Sequence, residues 1–248
     1  MRTALLVCLL ALVAASVRAE AIALLLSRSP FCLIGESVTV GVARHMSMVE
    51  GRYDFKYVPR FDRGVRTDEV TFEFPVLVPK ETDSLEALLE ITQMKLRAGG
   101  VEFQPVDCGP WPDSEAVPLP VVPEDVKVAI LRFSIPRTLL RDRVTLTVSY
   151  FQPHYQMAGR EVAAYLPLLP DFEALKNELL FSTLDFMVGF EAVDAVRLHR
   201  LSANRSAEAE IPGKVVVHPA HREIIAVSVE AADAAGSGPA AAAGEGRR

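Results

Sequence analysis

The stretch Arg143-Val144-Thr145-Leu146-Thr147-Val148-Ser149-Tyr150 decides the fold class. Val144, Leu146, Val148 and Tyr150 occupy every second position, and Arg143, Thr145, Thr147 and Ser149 fill the others. Successive side chains of a strand point to opposite faces, so this is a strand with one face buried and one in water. Working outward, the same period recurs in Val70–Val78 through Val70, Phe72, Phe74, Val76 and Val78. Arg52–Val58 repeats it with Tyr53, Phe55 and Tyr57. Val38, Val40 and Val42 mark an earlier strand. Leu184, Phe186, Val188 and Phe190 mark a later one, and Ile225, Val227 and Val229 the last. Val128–Leu131 is apolar at every position, the pattern of a strand covered on both faces.

Helical signals are few. Asp83 with Glu86 three residues on predicts a capped short helix with Leu85, Leu88 and Leu89 on one face. Asp171 predicts a second, with Phe172, Leu175 and Leu179. The expected class is therefore all-β, mainly antiparallel, as two immunoglobulin-like β-sandwiches with one or two short helices. The division is expected in the proline-rich run, where Pro105, Pro110, Pro112, Pro118, Pro120 and Pro123 accompany Gly109. Proline removes a backbone donor and is excluded from interior strands. This gives an N-terminal sandwich over 22–108, a connection over 109–123, a C-terminal sandwich over 124–232 and a disordered tail over 233–248. One large sandwich with a long surface excursion is the competing arrangement.

Residues 1–21 have the layout of a secretory signal peptide. Arg2 supplies the charge, Ala4–Val13 the apolar run, and Ala19 and Ala21 the small residues around a cut. Arg18 and Glu20 interrupt the apolar stretch well short of the ~20 residues a membrane span needs, so no transmembrane span is expected after removal of the signal. The protein is expected to be exported, to a periplasm or the extracellular space. In size, leader and domain number it resembles the periplasmic pilus-assembly chaperones. That resemblance is one of architecture, and architecture alone implies no function.

Half of the chain is hydrophobic and its formal net charge is −6, which suits a globular protein and gives no electrostatic help in binding nucleic acid. Cys32 and Cys108 remain after processing. An even pair in an oxidising compartment predicts a disulfide, closing a loop of about 76 residues. Two separate buried thiols are the alternative.

Four groups are candidate sites. His218, His221 and Glu223 carry suitable zinc-ligand chemistry. Pro219 keeps the two histidines off a common helical face, and alternation separates His218 from the other two, so no metal site is expected there. Trp111, between Pro110 and Pro112, would serve either to anchor a partner or to cover a gap in the core. His154 and Tyr155 end the clearest strand, where sandwich loops often bind. His154 is a candidate general base and Tyr155 a donor.

No Gly-x-Ser-x-Gly elbow, phosphate-cradling glycine loop or His-Glu-x-x-His motif occurs. The expected function is non-enzymatic binding of a protein or another envelope component, with no cofactor. The alternative is an exported hydrolase, acting on glycan, whose carboxylate pair meets only in space.

Overall fold

The computed structural model describes residues 30–59, 68–111, 122, 125–168, 185–200, 208–211, 213–217 and 224–231. The fold is all-β and mostly antiparallel. Its first part contains β1 (Phe31–Val42), β2 (Met46–Tyr57), β3 (Glu69–Pro79), the helix α1 (Leu85–Thr92), β4 (Lys95–Ala98), β5 (Val101–Phe103) and β6 (Asp107–Pro110). Then come β7 (Val126–Pro136), β8 (Arg143–Pro153), β9 (Tyr155–Met157), β10 (Arg160–Tyr165) and β11 (Asp185–Ala192). The last strands are β12 (Val196–Arg200), β13 (Glu208–Ile211), β14 (Lys214–Val217) and β15 (Ile225–Ala231).

These strands form an eight-stranded sheet in the order β13-β14-β11-β1-β2-β8-β4-β5, a four-stranded sheet β12-β15-β10-β9, and a three-stranded sheet β3-β7-β6. The strands on either side of residues 109–123 do not sort into two separate sandwiches. The large sheet interleaves β1, β2, β4 and β5 with β8, β11, β13 and β14. Its seam is the parallel pairing of β1 with β11, from Gly35 opposite Asp185 to Val42 opposite Ala192. The start of the proline-rich run is strand: β6 pairs with β7 and ends at Pro110. An edge strand tolerates proline because its outward N–H has no ladder partner to lose.

One hydrophobic core draws on all three sheets. Val40, Tyr53 and Leu146 come from the large sheet, Phe72 and Leu131 from the three-stranded one, and Tyr165 and Val227 from the four-stranded one. A second cluster takes opposite-face residues of the two smaller sheets, including Leu77, Ile130, Val162 and Ala226. β7 is thus covered on both faces, which accounts for its unbroken apolar run.

A bulge in β1 sets which residues face inward. The β1–β2 register shifts between Leu33 and Gly35. Before it the odd-numbered Phe31 and Leu33 are buried; after it the even-numbered Glu36, Val38, Val40 and Val42 are. One extra residue on a strand inverts the parity of all that follow.

The same parity argument corrects the expected disulfide. Cys32 and Cys108 are not bridged. Cys32 lies opposite Lys56 on the large sheet, on the face away from its buried neighbours Phe31 and Leu33. Cys108 belongs to the three-stranded sheet, opposite Leu131, and packs against the main core. Burial and the neighbouring Asp107 charge raise the pKa of its thiol.

The helix cap also differs from the expected one. Ser84, not Asp83, is the N-cap, and its Oγ accepts from the Ala87 N–H at 3.1 Å. Asp83 instead receives a 2.6 Å hydrogen bond from Lys127 Nζ. The second expected helix, the signal peptide and the tail from residue 233 lie outside the described residues. Among the described residues no helix is long and apolar enough to cross a membrane.

Candidate functional site

The large sheet carries polar chemistry on both faces, arranged differently on each. On the inner face the bulge delivers Glu36 into the core at 1% exposure. Its carboxylate accepts from the Tyr165 hydroxyl at 2.5 Å and from the Leu168 N–H at 3.1 and 2.9 Å. Since Tyr165 spends its one proton on Glu36, Tyr53 donates to Tyr165, at 2.8 Å. Burial and then the Glu36 charge push both of these phenols well above their ordinary pKa. Gly51 is required here, because a Cβ on it would lie 2.5 Å from the Tyr53 ring.

The second inward cluster contains His154. Its Nε2 is 3.1 Å from Ser47 Oγ, and its Nδ1 is 2.9 Å from Glu161 Oε1. With the proton on Nδ1, the ring donates to Glu161 and accepts from Ser47, the connectivity of a serine-hydrolase relay. Exposure runs the wrong way for that chemistry. Ser47 is 1% exposed and the His154 side chain 2%, while the Glu161 side chain is 39% exposed. The serine faces the core and the carboxylate faces solvent, so the relay ties the β9–β10 hairpin to β2. Gln152, opposite Ser47 in register, adds a 2.5 Å bond from Nε2 to the Ala164 carbonyl.

Sequence reading singled out His154 but missed both partners. Glu161 had a local signal: Ala158 and Gly159, with φ of 50° and 74°, make the two-residue turn that joins β9 to β10. Ser47 had none, being 107 residues away along the chain. Tyr155 is buried in the second cluster and donates to the Leu77 carbonyl at 2.6 Å, with its phenol pushed up by burial. Trp111, at 9% exposure, packs in the same cluster, covering the core rather than standing out to meet a partner. His218, His221 and Glu223 lie outside the described residues. Among the described residues no three His, Cys, Asp or Glu side chains converge on a metal position.

The outer face of the large sheet carries an open groove of about 660 Å³. Three rows cross it. The first runs Ser37, Arg52, Thr147 and Arg97 across β1, β2, β8 and β4. The second holds Glu50, Ser149 and Lys95. The third is apolar, with Met48 opposite Phe151. Met48 is 40% exposed and its neighbour Met46 48%. Gln93 turns the chain from α1 into β4 with a left-handed φ of 46°, and so aims Lys95 and Arg97 along the groove. Both cations share one carboxylate: Glu102 Oε1 is 3.3 Å from Lys95 Nζ, and Oε2 is 3.0 Å from Arg97 Nη2. Hydrogen bonds from Arg97 and then Lys95 hold the Glu102 carboxyl below its ordinary pKa.

No protein-family model and no curated protein matches the chain. Among solved structures, yeast LTA4 hydrolase in complex with bestatin is similar at 12% identity and a TM-score of 0.37, over 80% of this chain and 28% of that one. The native yeast LTA4 hydrolase gives 10% identity and a TM-score of 0.39, over 81% and 29%. The chain spans less than a third of the length of those structures.

Proposed function

We propose that this is an exported, non-enzymatic protein that binds a protein partner of the envelope or extracellular space across the outer face of its large sheet. The observation that carries this reading is the groove, which joins exposed Met48 and half-buried Phe151 to the cations Arg52, Lys95 and Arg97. Apolar surface rimmed by polar and charged residues is the pattern of interaction sites, and Met46, Met48 and Phe151 beside these cations follow it. The residue pattern of positions 1–21 supports export.

Affinity capture from envelope extract tests the binding. The wild-type chain should retain a partner that the double variant Met48→Glu, Phe151→Glu loses. Equal capture by both would remove the groove from the function. Amino-terminal sequencing of the secreted chain should begin after Ala19 or Ala21, and a start at Met1 would contradict export with cleavage.

The Ser47–His154–Glu161 relay favours a second reading, an exported hydrolase. A buried serine cannot meet a carbonyl carbon, so a fluorophosphonate probe should leave Ser47 unlabelled. Labelling that disappears in Ser47→Ala would promote this reading over the first.

A further inference from the structure

We infer that the groove recognises an extended acidic segment of a partner protein, one with an apolar residue and a carboxylate four positions apart. The inference rests on the groove being the binding face and specifies the chemistry of its occupant.

Charge is the first ground. Three of the four charged residues lining the groove are cations, Arg52, Lys95 and Arg97, against Glu50. Each cation is paired with a carboxylate beside the groove, Arg52 with Asp54 and the other two with Glu102, so an acidic occupant gains these cations by displacing those partners. The cations remain exchangeable. The side chains of Lys95 and Arg97 are 51% and 65% exposed, and they share Glu102 between them. Exposed ion pairs are screened by water and weak, so an incoming carboxylate can replace Glu102 at little cost. Arg52 and Arg97 flank Thr147, two strand spacings or roughly 10 Å apart, and the Thr147 hydroxyl lies between them as a further donor.

Spacing is the second ground. The apolar row and the arginine row are four residues apart on both central strands, Met48 to Arg52 on β2 and Phe151 to Thr147 on β8. Four residues of strand span about 14 Å. A peptide lying extended along these strands repeats its own same-face side chains at the same interval. One apolar residue then rests on Met48 and Phe151 while an Asp or Glu four positions on reaches Arg52 and Arg97. The middle row, where Glu50 and Lys95 flank Ser149, accepts a neutral polar residue.

Fluorescence polarisation with the full chain tests this. The probe is a labelled nine-residue Ser/Thr peptide carrying Leu and Glu four positions apart. It should bind at least tenfold more tightly than the same peptide with Lys for Glu. It should also exceed a peptide with Leu and Glu five positions apart, which puts them on opposite faces. Raising salt should weaken it. The double variant Arg52→Glu, Arg97→Glu should lose the acidic peptide and gain the lysine peptide. Equal binding of the acidic and basic peptides, indifference to spacing, or an unchanged affinity after charge reversal would overturn the inference. So would tighter binding of a sulfated glycan. If the acidic peptide fails while Met48→Glu, Phe151→Glu still abolishes capture from extract, the binding face stands and only the acidic specificity falls. If capture is also unaffected, both fall.

Discussion

The two faces of the eight-stranded sheet use polar residues in opposite ways. On the inner face Tyr53 donates to Tyr165, Tyr165 to Glu36, and the Leu168 N–H to the same carboxylate, a buried chain of hydrogen bonds. On the outer face Arg52, Lys95 and Arg97 hold exposed, shared and exchangeable contacts. The difference follows from solvation. A buried polar group without a partner costs ~1–3 kcal/mol, so Glu36, Tyr53 and Tyr165 gain by satisfying one another. In water the alternative partner is always present, and incomplete pairing costs little. The inner face therefore commits its polar groups to the fold, and the outer face leaves its cations exposed.

The largest expected effect is alkaline. Burial raises the pKa of Tyr53, Tyr150, Tyr155 and Tyr165 in the folded chain. Above about pH 10 the unfolded chain loses protons that the folded one keeps, so stability falls as pH rises; below that pH the contribution is fully present. Each phenol contributes roughly 1.4 kcal/mol per pH unit above that point, and four together amount to several. Melting temperature should drop steeply between about pH 10 and 11.5, with tyrosinate absorbance appearing as the chain unfolds. Tyrosinate formation complete before any loss of structure would break the contrast at its strongest point.

Removing the centre of the inner cluster comes next. Glu36→Ala strips the Leu168 N–H and the Tyr165 hydroxyl of their acceptor and leaves a cavity, at a cost of about 3 kcal/mol in urea unfolding. A loss under ~1 kcal/mol would mean that water satisfies these donors, and the two faces would no longer differ in kind. Gly51→Ala should cost about 2 kcal/mol, because the added methyl displaces a Tyr53 ring already packed edge-on to Phe74 at 5.1 Å. The smallest effect belongs outside: Arg97→Ala and Thr147→Val should each change stability by no more than about 0.5 kcal/mol. A larger loss would assign the outer row a structural duty.

Sequence alone reveals the faces better than the partners. The alternation in Arg143–Tyr150 identifies both the buried Val144, Leu146 and Val148 and the outward Thr147 and Ser149 that line the groove, because period two is a local property. The all-β class was legible for the same reason. The pairing of Gly35 with Asp185 was not, since no local pattern encodes which strand lies alongside another. Two separate sandwiches were the economical expectation without it. The buried Glu36 was hidden by its charge: the switch from Phe31 and Leu33 to Val38, Val40 and Val42 shows in the sequence, but nothing local says that a carboxylate begins the second buried series. Lys95 and Arg97 belong to a four-residue strand, too short for its alternation to stand out.

The β1–β11 seam also sets a timetable. β1 and β2 are joined by a short connection and can pair as soon as both are made, whereas Asp185 is synthesised about 150 residues after its partner Gly35. At 5–20 residues per second that interval is roughly 10–30 s. Throughout it, the ladder edge of β1 destined for β11 stands open, a row of unsatisfied amides and carbonyls able to capture any passing strand.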